Sequence, residues 1–160
     1  MEKIVDYFDK GMEYLLGAKS NPKKAAKFFI KSLKLANKLK AYERSLAAIL
    51  KLIECYHKKM EKPKLALPHV ENFFKLMMKA RDYENAVNIQ IETARMLREY
   101  PNLIDEAIER YYLAWKISNK YSLDEDIKDL IKREVYETVI MMGQSEDYAR
   151  NYIETHFVTH

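Results

Sequence analysis

The chain has 160 residues, 48% hydrophobic and 32% charged, with a formal net charge of +4. That length implies one domain able to bury roughly 70% of the surface its unfolded form exposes. Three glycines and four prolines are too few for an all-β chain, which needs a turn every ~8–12 residues, and the single cysteine, Cys55, excludes an internal disulfide. Leucine, lysine, alanine and glutamate, all good helix formers, are abundant, so an all-α fold is expected. No apolar run approaches the roughly 18 residues that span a bilayer, and "MEKIVDYFDK" lacks the apolar core of a signal peptide, so the expected location is cytoplasmic.

Residues 2 to 17 place Ile4, Tyr7, Phe8, Met12 and Leu15 on one helical stripe. Asn21-Pro22 then supplies a cap followed by proline at a first helical position. The next helix carries Ala25, Phe29, Leu33 and Ala36 on one face. Residues 43 to 60 repeat the pattern with Leu46, Ile49, Leu50, Ile53 and Tyr56, and Cys55 among them reads as a buried, inert thiol. Lys62-Pro63 is a second break, and Pro68 lies beyond the first turn of a helix starting there, which predicts a kink or a late start. Residues 84 to 99 offer Val87, Ile91, Ala94 and Leu97, before Tyr100-Pro101-Asn102 interrupts the chain. Ser122 with Glu125 forms the spacing of a capping box ahead of a helix over 124 to 142, which carries Ile127, Leu130, Ile131, Val135 and Val139. Ser145 can cap a last helix bearing Tyr148, Tyr152, Ile153 and Phe157.

The chain repeats itself. "AAKFFIKSLKLA" (25 to 36), "ALPHVENFFKLM" (66 to 77) and "AIERYYLAWKIS" (107 to 118) start 41 residues apart. Four places after each alanine come Phe29, Val70 and Tyr111, and eight places after come Leu33, Phe74 and Trp115. A weaker copy begins at Ala149, with Ile153 and Phe157 at the same offsets. These spacings put the large residues on one helix face, beside a small residue that lets a neighbouring helix approach. Four helical hairpins follow, at approximately 2–40, 43–80, 83–120 and 124–157, within a single helical-repeat domain spanning 1–160.

"EAIERYYLAWKIS", residues 106 to 118, resembles the second helix of a tetratricopeptide repeat, and the 41-residue period resembles the stretched repeats of soluble NSF attachment protein (SNAP) adaptors. The resemblance implies a right-handed α-solenoid of about four antiparallel helical hairpins, acting as a protein-interaction scaffold or adaptor. It assigns the concave face to the first helix of each hairpin. Partner-binding candidates there are Asp9, Glu13, Glu54, His57, Asn88, Arg95, Arg98, Arg133 and Glu137, a mixture suited to a peptide of mixed charge or simply to solvation. The family's capture of a carboxylate tail by paired lysines and asparagines is not expected, because the equivalent places carry Asp9, Glu13, Leu50 and Glu54.

Charge is unevenly spread. Residues 1 to 60 carry a net +8 and residues 101 to 160 a net −5, which steers an acidic partner to one region and also permits head-to-tail self-association. Lys23, Lys27, Lys31, Lys34 and Lys38 share one face of the second helix, and residues 14 to 42 hold no acid. Either this is the wet side of the helix, or it serves an acidic protein surface, an anionic membrane or nucleic acid, in that order of preference. No nucleic-acid module is evident, and a basic nucleic-acid-associated or regulatory module is kept as an alternative. A third is a homo-oligomerisation domain, forming a homodimer through the C-terminal helix.

Gly11, Gly17 and Gly143 are isolated and cradle no phosphate; His156 and His160, four apart, have no third ligand nearby; Asp124, Glu125, Asp126 and Asp129 suit the first turn of a helix. No catalytic residue, metal site or cofactor is expected, and the chain reads as a non-enzyme.

Overall fold

A computed structural model describes residues 1–158; Thr159 and His160 lie outside the described residues, so the His156/His160 pair is not placed. Among the described residues the chain is helical throughout, with no strand. Eight α-helices follow one another: α1 Glu2–Leu16, α2 Pro22–Lys38, α3 Tyr42–Glu54, α4 Pro63–Ala80, α5 Tyr83–Arg98, α6 Ile104–Lys120, α7 Glu125–Met141 and α8 Glu146–His156. A π-helical turn, Cys55–Lys59, continues α3, and a 3₁₀ turn, Pro101–Leu103, precedes α6. None of these helices is long and apolar enough to cross a membrane.

The helix starts follow from local chemistry. The Asn21 side chain accepts from the Lys24 N–H at 3.0 Å, and Pro22, which has no N–H to leave unpaired, opens α2. Ser145 caps α8 by accepting from the Tyr148 N–H at 3.2 Å. At α7 the capping box expected from Ser122 is not made. Asp124 caps the helix instead, accepting from the Asp126 N–H at 3.2 Å, because Ser122 is committed to the turn before it. Nor does Pro68 delay its helix: α4 starts at Pro63 and runs through it.

That turn recurs. Lys40, Arg81 and Ser122, 41 residues apart, adopt left-handed backbone angles, with φ of 54°, 60° and 51°. The next N–H in each case reaches back five residues: Ala41 to the Ala36 carbonyl at 2.8 Å, Asp82 to Met77 at 2.9 Å, and Leu123 to Ser118 at 2.9 Å. This is the Schellman closure, which pairs carbonyls that a helix end leaves free. The starts of α2, α4 and α6 at Pro22, Pro63 and Ile104 keep the same 41-residue interval.

The helices belong to two compact units, one over Met1–Phe73 and one from Phe74 onward, and the boundary falls within α4. In the first unit α2 packs against both α1 and α3. Its Ala25, Phe29, Leu33 and Ala36 are buried, as the apolar spacing predicts. Gly11 of α1 lets that helix close on the Phe29 ring, since a Cβ there would sit 2.6 Å from it. The Phe8 and Phe29 rings meet edge to face at 5.3 Å. Ser32, buried between the helices, donates to the Ile4 carbonyl at 2.9 Å. Leu50, expected in the core, is 46% exposed. Cys55 is fully buried, and burial, reinforced by the Glu54 charge, pushes its thiol up to about 11, so it is inert at neutral pH.

In the second unit α5 packs on α6, α6 on α7 and α7 on α8. Ala107, Tyr111, Trp115 and Ile117 form the buried face of α6. The end of the chain is better covered than its composition suggests: Phe157 folds back with its ring 5.8 Å from both Tyr112 and Trp115 and is 2% exposed. Tyr152 and Ile153 are half-buried, and of the four apolar residues of the last helical stretch only Tyr148 is largely exposed.

Candidate functional site

The first charged arrangement lies in the second unit, around a residue that sequence reasoning passed over. Glu134 of α7 is buried in the stripe Ile131, Glu134, Thr138, a place where an unpaired carboxylate would be costly. It is not unpaired. Arg95 of α5 holds it in a fork, with Nε 2.9 Å from both carboxylate oxygens and Nη2 bonded to Oε1. The Tyr111 hydroxyl donates to its Oε2 at 2.7 Å. Burial alone would raise the Glu134 pKa, but the bonds from Arg95 and Tyr111 and the charges of Arg95 and Arg98 outweigh it and hold the carboxyl below its ordinary range. Burial and the bond to Glu134 push the Tyr111 hydroxyl up, and the bond to Glu134 does the same for the Arg95 guanidinium.

Three of the expected groove residues are drawn into this cluster. Besides Glu134, Arg95 pairs with Glu92, and Arg98 Nη1 lies 3.5 Å from Glu137 and 3.8 Å from Glu134. Their charges are largely answered within the unit, and the cluster ties α5, α6 and α7 together. Of the remaining groove candidates, Asn88 and Arg133 are exposed on α5 and α7, and Asp9 and Glu13 are exposed on α1. Glu54 pairs with Lys51 at 2.7 Å, and His57 sits half-buried in the π turn.

The second arrangement is the α1–α2 face of the first unit. Lys23, Lys24, Lys27, Lys31, Lys34 and Lys38 are all exposed, and none is in an ion pair with another described residue. Three of them surround aromatic rings that sequence reasoning left out of the surface. Tyr14 of α1 and Phe28 of α2 stack in parallel, with centroids 5.6 Å apart and planes at 9°. Lys24 Nζ stands 5.4 Å from the Tyr14 centroid, and Lys31 Nζ 5.3 Å from that of Phe28 and 5.7 Å from that of Tyr7. Tyr14, Phe28, Lys24, Lys27 and Lys31 enclose an open hollow of about 300 Å³ with no carboxylate in its lining. Lys34 and Lys38 continue the stripe along α2, seven and eleven residues after Lys27.

Chemically this face is an apolar depression rimmed by uncompensated positive charge. A sequence signal for it exists in hindsight: Tyr7 and Tyr14 are seven apart on α1 and so share a side, and Phe28 stands one residue off the core position Phe29. No protein-family model, curated protein or solved structure matches this chain.

Proposed function

We propose that the chain is a protein-interaction module whose α1–α2 face binds an acidic segment of a partner protein. The observation that carries this reading is the set of lysines without counter-charges around an aromatic-walled hollow. An aliphatic or aromatic side chain of the partner fills the hollow. Carboxylates flanking that anchor meet Lys24, Lys27 and Lys31, and Lys34 and Lys38 extend the attraction along α2. Each exposed ion pair contributes about 0.2–1 kcal/mol, and burial of a leucine-sized anchor about 1.5–3 kcal/mol. Association costs several kcal/mol, so these terms suit a transient complex rather than a permanent one.

The architecture proposed with this reading is a right-handed α-solenoid of four antiparallel hairpins, as in tetratricopeptide and SNAP-type adaptors. The 41-residue recurrence of helix starts and Schellman turns supports it. The groove expected at Arg95, Arg98 and Glu137 is the weaker docking surface, because Glu134 and Glu92 already answer those charges.

The test is a titration of the full chain against labelled peptides, one alternating glutamate with leucine and one alternating lysine with leucine, and against single-stranded DNA. Only the acidic peptide is expected to bind well, with an affinity that falls as salt rises. Lys27→Glu/Lys31→Glu should abolish that binding. Tighter binding of DNA than of the acidic peptide would transfer the face to nucleic-acid recognition, where stacked rings and lysines also serve. Failure of both ligands at low salt would discard the face altogether.

A further inference from the structure

A second hollow, of about 350 Å³, lies wholly within the second unit, between α6, α7 and α8. Its chemistry is the reverse of that of the lysine face. Asp105 and Glu109, one turn apart on α6, line one side; both are exposed, and neither is in an ion pair with another described residue. Tyr148 and Tyr152, one turn apart on α8, line the other, with ring centroids 6.3 Å apart and planes at 26°. Ile108 and Met142 supply apolar surface, and no cationic side chain lines the hollow. Asp105 and Tyr152 line the same hollow, and burial, with a smaller contribution from the Asp105 carboxylate, raises the Tyr152 pKa.

We infer that this hollow receives a lysine or arginine side chain from a basic segment of a partner protein. A cation on an aliphatic stem satisfies each wall. The stem lies on Met142 and Ile108, the charged head meets two carboxylates without an ion-pair partner among the described residues, and the exposed Tyr148 ring adds cation–π attraction, while Tyr152, stacked on His156 at 4.3 Å, backs it as aromatic wall. An anionic ligand is repelled here. A bare divalent ion has no use for the rings, and the described residues offer no group of three or more metal-ligating side chains. The site is independent of the α1–α2 face, and together the two give the chain one surface for acidic and one for basic segments.

The experiment follows the tyrosine ring resonances of the full chain by NMR while acetylated, amidated trilysine or triglutamate is added. Trilysine is expected to shift the Tyr148 and Tyr152 rings saturably, and triglutamate to leave them in place. Asp105→Asn/Glu109→Gln, two exposed substitutions that do not touch the core, should weaken trilysine about tenfold. Tyr148→Leu, at the exposed ring, should weaken it several-fold with the carboxylates intact. The inference is overturned if the rings do not respond to trilysine, if triglutamate shifts them equally, or if the carboxyl double variant binds as the parent does. The Lys27→Glu/Lys31→Glu variant should bind trilysine unchanged, which separates failure here from failure of the lysine face.

Discussion

Glu134 shows what one side chain does when its partners come from elsewhere in the chain. Its bonds reach 39 residues back to Arg95 and 23 back to Tyr111, so no local pattern in the sequence announces them. What the sequence does offer is a carboxylate set between the apolar positions Ile131 and Val135. The same carboxylate sets a pH dependence. A carboxyl held below its ordinary value of 4.5 in the folded chain adds stability above that pH, and the contribution disappears as pH falls through the lower folded value. Glu134→Gln is therefore expected to lower stability by about 1–3 kcal/mol at pH 7, discounted because Arg95 is partly exposed. The gap between parent and variant should narrow as the medium is acidified below 4.5 and close once the lower folded value is passed. Urea unfolding at pH 7, 5 and 3 measures this, and a gap that stays constant would show that the charge on Glu134 is not what matters. Phe28 is the other residue that the sequence pattern leaves unassigned. Helical spacing puts Phe29 in the core, but the exposure of its neighbour depends on where Tyr14 of α1 comes to rest.

At the scale of elements, helices were largely legible and turns were not. Asn21 and Ser145 mark their helix starts because caps act through bonds to the next few residues, and Pro22 and Pro63 because proline's fixed φ and missing N–H suit the first helical position. The left-handed residues at Lys40, Arg81 and Ser122 were invisible because glycine usually fills such positions. Ser122 even suggested a cap it does not make. A side chain held at positive φ costs about 1 kcal/mol, and glycine removes that strain while adding freedom to the unfolded chain. Lys40→Gly, Arg81→Gly and Ser122→Gly should each raise stability by about 0.3–1 kcal/mol, read as a higher urea midpoint with an unchanged slope. Equal gains at all three would show that the turns are energetically as well as geometrically alike. A loss at any one would reveal a side-chain role there that outweighs the backbone.

Across the whole molecule, charge is the property that sequence and structure treat differently. The tally of net +8 over residues 1–60 and −5 over residues 101–160 was readable at once. Which charges are already answered was not, because that depends on contacts between distant helices. Arg95 and Arg98, expected to face a ligand, are occupied by Glu134, Glu92 and Glu137, whereas the lysines of α2 and the carboxylates of Asp105 and Glu109 are without ion-pair partners among the described residues.

The lysine stripe of α2 has a consequence of its own for how the fold tolerates its medium. Positive groups three and four residues apart push against one another, at about 0.2–0.5 kcal/mol for each such pair, and none of them has an ion-pair partner among the described residues. Dissolved ions relieve them: at about 1 M salt the repulsion survives only over roughly 3 Å. Sodium chloride added from 0.05 to 0.5 M should therefore raise the melting temperature of the parent chain, and raise it less once Lys27 and Lys31 are replaced by glutamine. A protein whose α2 was content with its own charge would show no such difference between the two.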